Sequence, residues 1–401
     1  MVCDYSCPKT KKCVTCQVVS VHLQIIPVKH LVYASLAFLL LTGPISFATW
    51  VIPPPGSVAR VVFSPDGKKI VTGTFGGIVW IWDAESGKKL HKLVGHTFSI
   101  TSVIFSPDGT KIVTASYDRI PRIWDVESGK ELQQLAGHTD AIMSAAFSPD
   151  GKKIVTASRD CTAKIWDVES GRELQTLTGH TSALITATFL PDGRRIVTTS
   201  VHRMVGMDES LDEKTVRIWD VESGKELHDF GGCTLGVYAI VFSPDGKKIV
   251  ATSNERDVRI WDTETGQELQ RLVGHTAYVP VAAFSSDGKQ IITVSADRTA
   301  RIWDAESGKE LQMLVRHTDF APIPAISPDG SVIAMPGLHD NAIRVWSDSG
   351  NKVQLLEGIT ESVHSIRLSP DGKRIAAANG RTARIWDIES GKEWHRFEHT
   401  D

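Results

Sequence analysis

Tryptophan followed by aspartate recurs through this 401-residue chain at Trp82, Trp124, Trp166, Trp219, Trp261, Trp303 and Trp386, with Trp346-Ser347 as a variant. The successive steps are 42, 42, 53, 42, 42, 43 and 40 residues. A sheet-sized unit at so regular a period cannot bury its apolar faces alone and must stack on copies of itself. The unit is clearest from Gly137 to Asp167, GHTDAIMSAAFSPDGKKIVTASRDCTAKIWD. Ile142 to Phe147 is a short apolar run with small residues, suited to a strand packed on both faces. Pro149 stops it, and Asp150-Gly151 accepts the positive φ at the head of a tight hairpin. Ile154 to Ser158 and Ala163 to Trp166 read as the second and third strands. Glu173 to Leu177, after the Ser170-Gly171 turn, reads as a half-exposed fourth.

The joint recurrence of Phe-Ser-Pro-Asp-Gly, Ile-Trp-Asp and Gly-His-Thr over residues 57 to 401 resembles the WD-repeat family, in the near-identical form of its prokaryotic repeats. That resemblance implies an all-β fold, a β-propeller of four-stranded antiparallel blades. Because each blade depends on the next, residues 57–401 are expected to form one domain. Eight units follow Ser57, ending near residues 95, 137, 179, 232, 274, 316, 358 and 401. Each has its own fourth strand, including Glu393 to Phe397 in the last. Eight blades closed by side-chain packing alone are therefore expected, with seven blades and one displaced repeat as the alternative. Glu398-His399-Thr400-Asp401 looks like the start of another unit. His399 either serves blade one across the closure or begins a further repeat of a longer array.

The resemblance also implies a hydrogen-bonded set in each unit: the Gly-His histidine, a Ser or Thr of the second strand, the aspartate of the second turn and the tryptophan. Carried over by position, the sets are His96, Ser116, Asp118 and Trp124; His138, Ser158, Asp160 and Trp166; His275, Ser295, Asp297 and Trp303. A buried indole N–H and imidazole need acceptors, and the aspartate supplies a strong one. Ser, His and Asp are also the members of a nucleophilic triad. A catalytic set occurs once and exposes its serine, whereas these repeat with the fold, so no catalytic residue is assigned. Blade one departs with Gly76 for the aspartate. Blade five carries Glu255 and Gly232-Cys233, and blade eight carries Ala378, Gly380 and Gly358-Ile359. Blade seven, with Pro322, Pro324 and Pro336, is expected to be the most irregular. Blade four holds an insertion between Ser200 and Glu213, VHRMVGMDESLD, which reads as a surface loop, either binding or merely tolerated.

Residues just after each Gly-His-Thr and just before each second-turn aspartate are expected to crowd the rim of one face around the channel mouth. They are Phe98, Tyr117, Met143, Arg159, Leu184, Tyr238, Tyr278, Phe320 and His364. Aromatics and arginine dominate binding energy at protein interfaces. The opposite face, made by Asp-Gly and Ser-Gly turns, is monotonous and charged, and is the poorer candidate.

Residues 1–56 share nothing with the repeats. Lys9, Lys11, Lys12 and Lys29 precede the apolar run Leu31 to Thr42, and Ser46-Phe47-Ala48 offers a small-x-small cleavage site. The segment reads as a signal peptide cleaved after Ala48 or, if retained, as an anchor over Leu31 to Ile52, with Pro53-Pro54-Pro55 as a stiff spacer. Both readings put the propeller outside the cytoplasm; the alternative is a hydrophobic tail on a cytoplasmic protein. Cys3, Cys7, Cys13 and Cys16 contain a single Cys-x-x-Cys pair, a weak metal signal. Cys161 and Cys233 fall in different repeats and are expected as thiols. A net charge of −3 without a basic stripe argues against nucleic acid. There is no nucleotide loop, paired metal motif or nucleophile elbow, so no cofactor, metal or enzymatic activity is expected. The expected function is a non-catalytic protein-interaction scaffold, a monomeric propeller with a protein partner. A ligand-binding or enzymatic propeller, or one arm of a larger protein, is the alternative.

Overall fold

A computed structural model describes residues 54–200, 216–230, 237–253, 256–316, 325–327, 332–336, 342–347, 353–356, 359 and 363–399; the side chains of 238, 314–316, 347 and 353 fall outside it. The described residues form eight four-stranded antiparallel sheets, each from four consecutive strands, so the chain is an all-β, eight-bladed propeller. The N-terminal segment, with its candidate anchor Leu31 to Ile52 and four cysteines, lies outside the described residues, as do Cys233 and the blade-four insertion. No helix among the described residues is long and apolar enough to cross a membrane.

Blade three shows why the sequence folds this way. Its strands are Ile142–Phe147, Lys153–Ser158, Ala163–Asp167 and Glu173–Leu177. Between the first two, the Ser148 hydroxyl donates to Asp150 at 2.6 Å and accepts from the Lys153 N–H at 2.9 Å, while Gly151 takes φ 70°. The recurrent Ser-Pro-Asp-Gly is thus a self-bonded turn whose last residue must adopt left-handed backbone. Asp167 caps the third turn in the same manner, accepting from the Ser170 hydroxyl at 2.6 Å.

First strands pack side by side around the axis, from blade seven through eight and one to four, and from five to six, which makes them the channel wall. Six of them carry a bulge at their start, which leaves Ala59, Thr101, Met143, Ile185, Tyr238 and His364 without a ladder partner. An extra residue in one strand re-aims its side chain. The second strands are buried along nearly their whole length, as suits a strand between two neighbouring blades.

The core lies between blades. Val113, Ala115, Ile123 and Leu135 of blade two meet Ile142, Phe147, Ile154 and Trp166 of blade three in one cluster. Trp166 is 1% exposed. A tryptophan buries roughly 150–250 Å², which at about 25 cal/mol per Å² contributes on the order of 4–6 kcal/mol per blade.

The outermost joints are tied by a repeated bond from the fourth strand of one blade to a turn carbonyl of the next. His91 donates to Glu127 O at 2.7 Å, Gln133 to Glu169 O at 2.8 Å, Gln175 to Glu222 O at 3.0 Å, and Gln270 to Glu306 O at 3.1 Å. His395 of blade eight donates to Glu85 O of blade one at 2.7 Å, so the closing joint uses the same tie. Closure exchanges no strand, as expected, but it is not side-chain packing alone: the Val58 N–H donates to Gly380 O at 2.7 Å. The Val58 N–H, beside the bulge at the start of its strand, thus finds its acceptor in the neighbouring blade. Alanines 376, 378 and 383 with Ile385 and Phe397 then pack on Val58, Val61, Phe63 and Trp82. Blade seven has a first strand of only two described residues, Ala325–Ile326, and its second strand ends at Pro336.

Candidate functional site

Within blade three a chain of polar groups runs from the core to one face. Trp166 Nε1–H donates to Thr156 Oγ1 at 2.8 Å; that hydroxyl meets His138 Nε2 at 2.8 Å, and His138 Nδ1 meets Asp160 Oδ2 at 2.8 Å. Its direction is fixed at both ends, because an indole only donates and a carboxylate only accepts. For a neutral imidazole this makes Nδ1–H the donor to Asp160 and Nε2 the acceptor from Thr156. Blades two and six repeat the chain through Trp124, Thr114, His96 and Asp118, and through Trp303, Thr293, His275 and Asp297. Burial lowers the His275 pKa despite its aspartate, which favours a neutral imidazole donating to the charged carboxylate over an ion pair. Burial opposes charge on Asp297 in turn, but hydrogen bonds from Thr299, the Thr276 N–H and His275 outweigh it and bring the carboxyl to about 2.

The hydroxyl in this chain is a threonine, two residues before the serine that the sequence pattern suggested. Ser116, Ser158 and Ser295 have another task. The Ser158 hydroxyl donates to Asp140 O at 3.0 Å and accepts from the Asp160 N–H at 3.1 Å, holding the turn that carries the aspartate. Ser116 does the same between Phe98 O and the Asp118 N–H, and Ser295 between Ala277 O and the Asp297 N–H. All three are at most 1% exposed, and their protons are committed to main-chain carbonyls. None is an accessible nucleophile.

The departures follow one rule. In blade one, His399 supplies the imidazole from across the closure: its Nε2 lies 2.9 Å from Thr72 Oγ1, which accepts from Trp82 Nε1 at 2.8 Å. In blade four His180 and Trp219 share Thr198, and His180 Nδ1 has no partner among the described residues. Burial, with Arg217 nearby, takes the His180 pKa down to about 3. Blades five and eight, which lack the histidine, also lack the hydroxyl: register places Ala251 and Ala377 there. Blade seven has Met335 at that position, and Trp346 Nε1 is buried without a partner among the described residues.

On the face where these chains end, Tyr117 and Arg159 come together, with the Arg159 guanidinium 5.0 Å from the Tyr117 ring centre. His364 meets Phe75 edge-on with ring centres 5.3 Å apart. Phe75 occupies in blade one the position of Tyr117 in blade two, and only the missing aspartate at Gly76 hid it. Phe98 is 45% exposed; Met143 and Tyr278 are half-buried. Leu184 is not on the rim. It pairs with Ser200 and is 1% exposed, because the bulge falls one residue later, at Ile185. Phe320 and the Tyr238 side chain lie outside the described residues.

The opposite face holds a cleft of about 640 Å³ between the turns of blades eight and one. Its carboxylates are already engaged: Asp66 by Ser64, Asp83 by Ser86, Asp371 by Ser369, and Glu85 by Arg374 at 3.5 Å. Among the described residues no group of three or more His, Cys, Asp or Glu is arranged to hold a metal ion.

Residues 50–83, 87–125, 129–167, 171–220, 224–262, 266–304 and 350–387 match the family pattern described as WD domain, G-beta repeat. The chain belongs to the WD-repeat family. The stretch this WD-repeat protein leaves unmatched, 305–349, contains most of blade seven, where Met335, Pro336 and Trp346-Ser347 depart from the pattern. Over 41 residues the protein is 56% identical to the "Uncharacterized WD repeat-containing protein alr3466" of Nostoc sp. (strain PCC 7120 / SAG 25.82 / UTEX 2576), a match spanning 10% of this chain and 3% of that relative's length. Among solved structures the computationally designed Ika8 protein is similar at a TM-score of 0.70, with 24% identity over 84% of this chain and 98% of that one. That likeness is one of fold.

Proposed function

We propose that this propeller is a non-catalytic protein-interaction scaffold that recognises its partner on the face where the polar chains end, chiefly on the arc from blade eight through one and two to three. The reading is carried by one observation: His364, Phe75, Tyr117 and Arg159 form two contacting aromatic and cationic pairs on consecutive blades of that arc. Rigid aromatics lose little conformational entropy on binding, and arginine adds charge and hydrogen bonds. WD-repeat propellers are commonly interaction scaffolds, and the commitment of every serine in the Ser-His-Asp sets to the backbone favours the same reading over hydrolysis. The test is partner capture by the protein and by a Phe75→Ala, Tyr117→Ala, Arg159→Ala variant, with Lys68→Ala, Lys152→Ala on the opposite face as control. Capture is expected to fall at least tenfold for the first variant only; equal capture by all three overturns the assignment.

The setting we propose is outside the cytoplasm, exported or tethered, on the strength of the lysines before Leu31, the apolar run and the Ser46-Phe47-Ala48 site. Sequencing the N-terminus of protein from the native membrane and exported fractions tests it: a start at Thr49 supports cleavage, an intact membrane-bound N-terminus supports an anchor, and recovery only in the soluble cytoplasmic fraction refutes both.

A further inference from the structure

Among the described residues the channel wall carries small or apolar side chains over several blades and two arginines at one place. At the level of Arg60, which pairs with Gly73, the next blades carry Ser102, Ser144 and Thr186. At the level of Arg367, which pairs with Ala376, other blades carry Ala146, Thr188 and Val241. Arg60 and Arg367 sit on the first strands of blades one and eight, neighbours across the closure, where the Val61 N–H reaches Ser365 Oγ at 3.4 Å. Among the described residues neither guanidinium has a carboxylate partner. Arg60 donates from Nε to Thr101 O and from Nη1 to Ala59 O, both at 2.8 Å; Arg367 donates from Nη1 to Ile366 O at 2.8 Å. A guanidinium has five N–H donors, so among the described residues three of Arg60 and four of Arg367 are left over.

Two cations on neighbouring strands at successive levels of the wall, without an anion between them, disfavour each other. Enclosure by the ring lowers both pKa values, and repulsion from Arg367 lowers that of Arg60 further. Enclosure is not sealing, because Arg367 keeps an exposed surface within the channel. Tyr117 at the mouth is also near enough to act on Arg60 electrostatically. A carboxylate would neutralise one of the two charges. A tetrahedral dianion neutralises both and presents oxygens to two planar forks.

We propose that the channel of this propeller is a binding site for a phosphate-class dianion, inorganic phosphate or the head of a phosphomonoester, held between Arg60 and Arg367. The site shares blades eight and one with the partner-binding arc but rests on different side chains, so its failure and the failure of that reading are distinguishable. It is tested by thermal unfolding and titration calorimetry of the purified protein with inorganic phosphate and, separately, glycerol phosphate, against chloride at matched ionic strength. Saturable binding with a rise in melting temperature is expected. It should weaken at least tenfold in Arg60→Gln or Arg367→Gln and vanish in the double variant, while the Phe75→Ala, Arg159→Ala protein retains it. Binding of phosphate alone marks a free-ion site; comparable binding of glycerol phosphate marks a headgroup site. In chloride alone the single variants should melt no lower than the parent, since each removes a repulsion. If the double variant does not fold, Arg60→Lys with Arg367→Lys, which keeps the charge and loses the forks, should bind more weakly than the parent. No saturable binding by the parent, or equal phosphate responses in parent and variants, overturns the proposal.

Discussion

Replacing Thr156 by valine keeps the shape of the side chain and removes the one oxygen that Trp166 and His138 share. The chain then ends in two buried groups without partners, the indole N–H and His138 Nε2. Each orphaned group costs roughly 1–3 kcal/mol, so Thr156→Val should destabilise blade three by about 2–6 kcal/mol. In repeat architectures such a loss is felt first locally. Amide exchange in 142–147 and 153–158 should therefore quicken roughly 30-fold or more, since about 1.4 kcal/mol is a factor of ten, with blade six as the unaltered internal reference. Trp166→Phe separates the roles. In that background the indole is already gone and Thr156→Val should cost about 1–2 kcal/mol less, a coupling typical of side chains in contact. Ser158→Ala should also destabilise, because it frees Asp140 O and the Asp160 N–H, but its cost should be the same with Trp166 or phenylalanine present. Coupling of Trp166 to Ser158 and not to Thr156 would refute the linkage.

Burial, then Lys89 and Arg381, hold the His399 pKa down at about 4, and burial with Arg217 holds His180 at about 3, both below the ordinary 6.5. The unfolded chain binds these protons first, so their contribution is complete above pH 6.5 and is lost as pH falls towards 4 and 3. The slope is about 1.4 kcal/mol per pH unit for each histidine, or about 2 kcal/mol each between pH 6.5 and 5. Urea midpoints should fall over that window, and His399→Gln should flatten the dependence; an unchanged slope would contradict its neutral burial. Met335→Thr offers Trp346 the hydroxyl that blade seven lacks and should slow exchange in that blade by about 1 kcal/mol relative to Met335→Val, with no difference between the two variants counting against it.

The propeller was legible because a period of 42 residues leaves little else for a chain to do, and Asp-Gly, Ser-Gly and Trp-Asp mark the turns and the third strand of nearly every unit. What escaped was phase. Both faces of the second strand are buried, so alternation gives no means of choosing between Thr156 and Ser158; only the register opposite Trp166 does. Leu184 was placed on the rim because a bulge adds a residue without altering composition, and the extra residue is Ile185. Arg60 and Arg367 each read as one charged residue in an apolar strand. They form a pair only when the ends of a ring meet, a relation that no local pattern encodes. The loss of histidine together with the hydroxyl in blades five and eight was visible in the sequence, and its meaning waited on knowing which hydroxyl the imidazole touches.

The tie from His395 to Glu85 gives the molecule a property its individual blades do not have. Since the last joint is fastened by the same kind of donor and carbonyl as the described joints from blade one to four and from five to six, this tie does not set the seam apart. Polypeptides begun at a different blade boundary, with the present termini joined, would inherit every one of those fastenings. Blade order around the axis then becomes a matter of succession, and what tells one sector of the ring from another is the side chains it carries, such as the Phe75–His364 and Tyr117–Arg159 contacts.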